Sequence, residues 1–285
     1  MKKKLIAGLL VGAMAVSLSG CGASKTKEAP AAGDSAAEET AEAEPVTLNV
    51  FAAASMTETL TEIQEMYKDV APNVTLVFNF DSSGTLKTQI QEGADCDLFI
   101  SAAQRQMNQL DKDADPEVNT EGLDYVLEGT RVNLLENKVV LAVPDGNPKN
   151  IESFEDLGTD KLSLLALGNE DVPVGQYSTE ILTNLGILDS LEAEGKITYG
   201  SNVKEVTTQV SEAAADAGII YATDAFSAGL TVVDQAEGDL CKQVIYPAAV
   251  LNISKNSEAA KEFLAYLQTD TCMQVFEAVG FTAAE

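Results

Sequence analysis

The residues of this chain whose types and spacing suggest chemistry are two serines, Ser55 and Ser83, each at the start of a predicted helix. Ser55 closes the segment that follows the apolar run 46–51, and Ser83 lies in the turn 81–84 after a stretch of alternating hydrophobicity. The first N–H groups of a helix lack partners within it and carry a partial positive charge. Each turn therefore offers a hydroxyl group and backbone N–H groups to an anion. A serine that only caps its helix gives the same pattern, but two such turns in one fold favour a binding site.

The second half of the sequence repeats this arrangement. The predicted strand 162–167 leads through a loop to a helix that begins near Pro173, where proline removes an N–H that would lack a partner anyway. Val174 follows this proline, and Val203 begins another predicted helix. We expect both valine side chains to pack in the core, so that any contact with a ligand comes from their backbone N–H groups. Tyr221 ends a further short strand and adds a hydroxyl group.

The elements that must position these residues alternate between short strands and helices. Such alternation is typical of parallel sheets covered by helices on both faces. Open sheets of this kind bind ligands at the carboxyl ends of their strands, where all the turns described above lie. Residues 46–285 are long enough for two such lobes. The sequence therefore predicts an α/β protein of two lobes, each with a mostly parallel sheet and with a ligand cleft between them.

The N-terminal residues predict a secreted, lipid-anchored protein. Three lysines at positions 2–4, an apolar stretch over 5–16 and the sequence Leu-Ser-Gly-Cys ending at Cys21 have the order of a secretory signal, and this end resembles a bacterial lipobox. We expect residues 1–20 to be removed and Cys21 to carry the lipid. Residues 21–45 are rich in Ala, Glu, Ser and Pro, which predicts a flexible tether because they cannot bury enough apolar surface to fold. The predicted location is extracytoplasmic, at the cell membrane.

The charge of the chain excludes several classes of partner. The sequence holds 18 basic and 45 acidic side chains, a formal net charge of −27. Such an excess of acidic groups argues against binding to nucleic acid or to anionic lipid surfaces. It also opposes the long-range attraction of an anion, so local dipoles and hydrogen bonds would have to recognise one.

The residue types of the sequence argue against an enzyme and against a resident metal ion. There is no histidine, no CxxC pair and no GxSxG elbow, which argues against zinc and haem sites and against a serine nucleophile with a histidine base. We expect no cofactor and no site for a bare metal cation. Cys96, Cys241 and Cys272 cannot all pair within one molecule, and a bridge between Cys241 and Cys272 stays open.

Seven segments, in order and spacing, resemble one known family, the substrate-binding proteins of molybdate ABC importers. The segments are FAAAS (51–55), FDSSGTL (80–86), ADCDLFISA (94–102), EDVPVGQY (170–177), GIIYATDA (218–225), YPAAV (246–250) and VGFT (279–282). The resemblance covers nearly all of residues 46–285. It implies the type II periplasmic-binding-protein fold, for which we expect lobe 1 to comprise residues 46–130 and 245–285 and lobe 2 to comprise residues 131–244.

The resemblance also implies a ligand and the residues that hold it. Carried over residue by residue, Ser55 and Ser83 would each offer a hydroxyl and an N–H group, Val174 and Val203 their backbone N–H groups, and Tyr221 its hydroxyl group. The ligand would be molybdate, with tungstate a second one, and molybdenum would be bound as its oxyanion. This sequence departs from the family pattern at Val174, where relatives often have alanine, and at residue 84, where a glycine replaces the serine of some relatives.

The implied function is the capture of molybdate and its delivery to an ABC permease by a monomeric, lipid-anchored protein. A two-lobed binder of another oxyanion, such as sulfate, stays open, because sulfate has the same charge and shape. An amino-acid binder is disfavoured, since neither Arg105 nor Arg131 lies at a predicted cleft turn where it would hold a carboxylate. A ferric-ion binder is disfavoured because Tyr221 has no neighbouring tyrosine.

Overall fold

The structure, a computed structural model, describes residues 44–284. The predicted signal peptide 1–20, the lipid attachment at Cys21 and nearly all of the tether 21–45 lie outside the described residues. The described residues form one compact unit. Within the described part of the chain, no helix has the length and apolar character needed to cross a membrane.

Strands and helices alternate along the described residues, as the sequence predicts. The strands are β1 (Val46–Ala53), β2 (Val74–Asp81), β3 (Leu98–Ile100), β4 (Val132–Asn137), β5 (Val139–Val143), β6 (Leu165–Gly168), β7 (Ile197–Gly200), β8 (Ala217–Tyr221), β9 (Thr231–Gln235), β10 (Val244–Val250) and β11 (Thr282–Ala283). The helices are α1 (Thr57–Val70), α2 (Ser83–Gln91), α3 (Gln104–Asn108), α4 (Pro173–Asn184), α5 (Leu188–Ala193), α6 (Val203–Ser211), α7 (Ala222–Ala228), α8 (Ser257–Leu267) and α9 (Asp270–Ala278). Two short 3₁₀ helices cover Ala54–Met56 and Phe154–Gly158.

The strands form two sheets, which confirms the two-lobed fold. The first has the order β11-β4-β10-β3-β1-β2 and the second the order β7-β6-β8-β5-β9. Both sheets are mixed rather than mostly parallel. In the first sheet β2, β1 and β3 run parallel, as do β7, β6 and β8 in the second, and the remaining pairs are antiparallel. Two parallel neighbouring strands need a crossover connection between them. The strands β4, β5, β9 and β10, at which the chain passes between the sheets, have no such connection and pair antiparallel.

The crossing between the sheets is nearly continuous. β4 lies in the first sheet and β5 in the second, and only Lys138 separates them. The chain returns to the first sheet between Gln235, the end of β9, and Val244, the start of β10. Residues 132–137, which the sequence analysis assigns to lobe 2, therefore belong to the sheet of lobe 1. We propose residues 46–137 and 244–284 as lobe 1 and residues 138–243 as lobe 2.

The helices pack on the sheets through apolar stripes, and the sheets carry the core. In α1, Leu60, Ile63 and Tyr67 are buried at helical spacing, while β5 and β8 are buried along their whole length. In both sheets the parallel strands lie side by side, so their carboxyl ends meet at one edge. The turns after these strands bring together the serines and helix starts on which the sequence analysis focused.

Candidate ligand-binding cleft

A small cavity lies between the two lobes at the carboxyl ends of the parallel strands. The centre of a water-sized sphere can occupy only about 10 Å³ of it, which is room for one small group. Both lobes contribute to its wall. The lining residues are Ala53, Ala54, Ser55, Asp81, Ser82, Ser83 and Ala102 from lobe 1, and Pro173, Val203 and Tyr221 from lobe 2.

Ser83 is the first residue of α2 and is fully buried. Its neighbour Ser82 caps the helix, because the Ser82 Oγ atom accepts a hydrogen bond of 3.1 Å from the N–H group of Thr85. The Oγ atom of Ser83 instead accepts a hydrogen bond of 2.9 Å from the N–H group of Ala102. The capping alternative thus applies to Ser82. The Ser83 hydroxyl, held by Ala102, keeps its own proton for donation into the cavity.

Ser55 lies in the 3₁₀ turn that precedes α1, and no side-chain hydrogen bond caps this turn. Its Oγ atom lies 2.9 Å from the hydroxyl oxygen of Tyr246, in a buried contact. The Tyr246 oxygen also accepts a hydrogen bond of 3.2 Å from the side-chain amide of Asn137. Because Asn137 donates to Tyr246, the Tyr246 proton is free to go to Ser55, and the Ser55 proton is then free for a ligand. Burial raises the pKa of Tyr246 well above its ordinary value, so this hydroxyl stays protonated.

Tyr221 ends β8 and lines the cavity. Its hydroxyl oxygen lies 3.5 Å from the carbonyl oxygen of Ala102, at the outer limit of a hydrogen bond, so its proton is available to a better acceptor. Complete burial raises the pKa of Tyr221 well above its ordinary value. Tyr221 is therefore a neutral donor.

The two valines begin the helices of lobe 2. Val203 is the first residue of α6, which Asn202 caps by accepting a hydrogen bond of 3.1 Å from the N–H group of Glu205. Val174 is the second residue of α4, after Pro173. An α-helix leaves N–H groups at such positions without an internal partner. Val203 lines the cavity, whereas Val174 is absent from its wall and Pro173 lines it instead. Both side chains are buried, as expected.

One charged residue lies in the wall of the cavity, and others lie between the two lobes. Asp81, which the sequence analysis did not consider, lines it, and its Oδ1 atom accepts a hydrogen bond of 2.7 Å from the N–H group of Ser82. Lys204 of lobe 2 lies 2.7 Å from the carboxylate of Glu58 in α1 and 3.1 Å from that of Asp224 in α7. Burial raises the pKa of Asp224 to about 6, and the ammonium group of Lys204 only partly offsets this. An ion pair thus joins the two lobes.

A larger cavity of about 640 Å³ opens between α3, with the loop after it, and α4. It contains none of the predicted site residues. Its cationic side chains, Arg105 and Lys242, are exposed to solvent, so an anion there would keep much of its water. The small cavity, where buried donors converge from both lobes, is the better candidate for an anion site.

Sequence reasoning missed Asn137 and Tyr246, which position Ser55. Tyr246 lies within one of the family-like segments, but neither residue follows a strand that ends at the cleft. Cys96, Cys241 and Cys272 are free and buried, so the bridge left open between Cys241 and Cys272 is not formed.

A two-lobed α/β fold with a small cavity closed between its lobes is the architecture of a solute-binding protein. The comparison with protein families agrees. The chain belongs to the bacterial extracellular solute-binding protein family, whose model matches residues 48–282. This is a class of extracytoplasmic binding proteins without enzymatic activity, which confirms that the chain is not an enzyme.

Relatives within this family are similar over most of their length. The chain is 38% identical to YvgL of Bacillus subtilis, whose name provisionally describes it as a substrate-binding lipoprotein of an ABC transporter, over 84% of this chain and 87% of that protein. It is 33% identical to the molybdate-binding protein ModA of Haemophilus influenzae, over 83% of this chain and 90% of that protein. For ModA of Escherichia coli the identity is 35%, over 82% and 88% of the two chains.

Solved structures show the same fold. A substrate-binding domain from Clostridium difficile, provisionally assigned to a molybdenum ABC transporter, matches with a TM-score of 0.63 and 36% identity, over 84% of this chain and all of that domain. The periplasmic molybdate-binding protein of Azotobacter vinelandii matches with a TM-score of 0.71 at 22% identity, over 84% of this chain and all of that one, which supports the fold alone.

Proposed function

We propose that this protein captures molybdate outside the cytoplasm and delivers it to an ABC permease. Relatives at 33% and 35% identity are molybdate-binding proteins by name. The observation that carries the proposal is the cavity between the lobes, in which neutral donors converge from both sides. Tungstate, which is almost the same size, would bind as well. The protein would act as a monomer held near the membrane by a lipid on Cys21.

The proposed ligand contacts are the hydroxyl groups of Ser55, Ser83 and Tyr221 and the backbone N–H groups of Val174 and Val203, together with those of the two serines. Molybdate is a dianion at neutral pH and carries no proton, so it needs donors only. Burying it costs far too much unless its oxygens are hydrogen-bonded. Each charge-assisted hydrogen bond contributes roughly 1.5–3 kcal/mol, so several together offset the loss of water.

Local dipoles have to supply the attraction, because arginine does not. Arg131 is engaged with Asp111 at 2.7 Å, and Arg105 lines the larger cavity outside the site. The helix starts at Ser83, Val174 and Val203 each add a partial positive charge. Such donors recognise any tetrahedral dianion, so discrimination against sulfate would rest on the size of the cage.

Calorimetric titration of residues 22–285 with molybdate, tungstate and sulfate tests the proposal. We expect tight one-to-one binding of molybdate and tungstate and much weaker binding of sulfate. Replacing both Ser55 and Ser83 by alanine should abolish molybdate binding while leaving the unfolding midpoint without ligand within a few degrees of the wild type. The matched control replaces two exposed serines, Ser190 and Ser211, by alanine and should bind like the wild type.

Two results would contradict the proposal. Unchanged molybdate affinity in the Ser55 and Ser83 double variant would refute the site. Sulfate binding without molybdate binding in the wild type would keep the fold and assign the protein to the other oxyanion.

A further inference from the structure

A backbone hydrogen bond joins the two lobes next to the cavity. The N–H group of Gly84, the second residue of α2 in lobe 1, donates to the carbonyl oxygen of Asp171 in lobe 2 at 3.1 Å. Asp171 lies in the loop between β6 and α4. The adjacent Ser83 lines the cavity on one side of this contact, and Pro173 lines it on the other. The contact therefore spans the cleft at the point where the two halves of the proposed cage meet.

In this structure, only a glycine at residue 84 allows the two backbones to approach so closely. A Cβ atom added to Gly84 would lie 2.3 Å from the carbonyl oxygen of Asp171 and 2.9 Å from its carbonyl carbon and Cα atoms. These are backbone atoms, so no side-chain rotation can relieve the overlap. Gly84 has the helical conformation of α2, which any residue adopts. The requirement for glycine thus comes from the opposite lobe and not from the local backbone.

We propose that Gly84 determines how far the lobes close and thereby sets the size of the anion cage. This inference rests on the proposed function. Ordinary contact begins at 3.4 Å, so a side chain at residue 84 would stop closure about 1 Å earlier. Donors on opposite lobes would then move apart by a similar distance. A hydrogen bond of about 2.9 Å stretched this far is no longer a hydrogen bond, so the anion would lose contacts with one lobe.

The polar side-chain contacts of Lys204 and Asn202 across the cleft do not fix its width. Lys204 and Glu58 meet through long side chains, and the amide group of Asn202 lies 3.4 Å from the Asp81 carboxylate. Side chains of this kind can follow a displacement of about 1 Å by rotating about their bonds. The backbone contact of Gly84 has no such freedom, so it defines the limit of closure.

The variant Gly84→Ala tests the inference, with Gly238→Ala as its matched control. A Cβ atom added to Gly238 meets no atom within 4 Å, and its φ angle is not in the left-handed region. We expect Gly84→Ala to bind molybdate at least tenfold more weakly than the wild type, and Gly238→Ala to bind within twofold of it. Without ligand, the unfolding midpoint of Gly84→Ala should match the wild type, because an open cleft relieves the overlap. Affinity of Gly84→Ala within twofold of the wild type would overturn the inference.

A measurement on the wild type keeps the inference testable if the variant does not fold. Hydrogen exchange of the Gly84 amide should slow by at least tenfold when molybdate is added, because closure engages this N–H with Asp171. Unchanged exchange at saturating molybdate contradicts the closure contact. If the wild type and Gly84→Ala bind molybdate equally well, the role of Gly84 is refuted but the proposed function is not. A wild type that binds none of molybdate, tungstate and sulfate refutes the proposed function and this inference together.

Discussion

At the scale of single residues, Asp224 is a buried carboxyl group whose ionisation the fold opposes. Its side chain is fully buried, and neither oxygen accepts a hydrogen bond from the described residues. The Lys204 ammonium lies 3.1 Å from Oδ1 without hydrogen-bond geometry, Glu58 adds a repelling charge, and the hydroxyl groups of Tyr221 and Tyr246 stay protonated nearby. Desolvation outweighs the attraction of Lys204 and raises the pKa of Asp224 from 3.8 to about 6.

This shift makes stability depend on pH in a definite direction. Between 3.8 and about 6 the folded chain holds a proton on Asp224 that the unfolded chain has released, so the free energy of unfolding falls as pH rises through this window. Asp224→Asn removes the titration. We expect the free energy of unfolding of the variant minus that of the wild type to increase by about 2 kcal/mol from pH 4.5 to pH 7. Urea unfolding without ligand measures this difference. A difference independent of pH would show that Asp224 ionises normally.

The site residues at strand ends were predictable from the sequence, whereas the residues that hold them in place were not. Four of the predicted residues line the cavity: Ser55, Ser83, Val203 and Tyr221. They were predictable because a strand followed by the start of a helix can be recognised in a sequence. Tyr246 lies inside a buried strand, and its contact with Ser55 joins residues far apart in the chain. Such a contact depends on which strands are neighbours, and a single sequence does not reveal this. Local hydrogen bonding also decided which of two adjacent serines caps α2.

At the scale of elements, the turn from β6 into α4 is packed without spare volume. A Cβ atom added to Gly175 would lie 2.3 Å from the carbonyl oxygen of Gly168 and 2.4 Å from that of Asn169. All three residues belong to one strand–loop–helix unit of lobe 2, so opening the cleft does not relieve the overlap. The consequence differs from that at Gly84, where the obstructing atoms belong to the other lobe.

Gly175→Ala should therefore lower the stability of the protein itself. We expect a loss of about 1–3 kcal/mol in the free energy of unfolding without ligand, since overpacking forces the backbone of the turn to shift. Denaturant unfolding compares the free energy of unfolding of Gly175→Ala with those of Gly84→Ala and Gly238→Ala. Full stability of Gly175→Ala would mean that the loop before α4 adapts easily, and the start of α4 could not then serve as a rigid side of the cage.

The order of elements explains which part of the fold the sequence predicted. Repeated strand–helix–strand units gave the parallel strands β1 to β3 and β6 to β8, because a helix between two strands returns the chain to the same edge. The strands that cross between the lobes have no such helix. β4 and β5 look like neighbouring strands of one region, and the single residue Lys138 between them gives no sign that the sheet changes. The difference between the predicted and the proposed lobe boundary and the antiparallel pairs of both sheets have this common origin.

At the scale of the whole molecule, the strongly acidic charge opposes the approach of the proposed ligand. The full sequence carries a formal charge of −27, and removing the predicted signal removes three lysines and no acidic group. A dianion is therefore repelled at long range, although the donors of the closed cleft attract it at contact. These two effects respond differently to salt. Ions screen charges exposed to solvent over a Debye length of about 30 Å at 10 mM and about 8 Å at 150 mM, but they screen a buried site much less.

We therefore expect added salt to accelerate molybdate binding, the reverse of the usual result for a protein that steers its ligand electrostatically. The association rate constant, measured by stopped-flow fluorescence, should rise about two- to fivefold between 10 and 150 mM salt. The dissociation rate constant should change little, because the ligand leaves from a cleft closed to ions. Potassium glutamate should act like potassium chloride, since glutamate is too large to compete for the cavity. An association rate that falls with both salts would mean that local positive charge dominates the approach, and the net charge would then have no part in ligand capture.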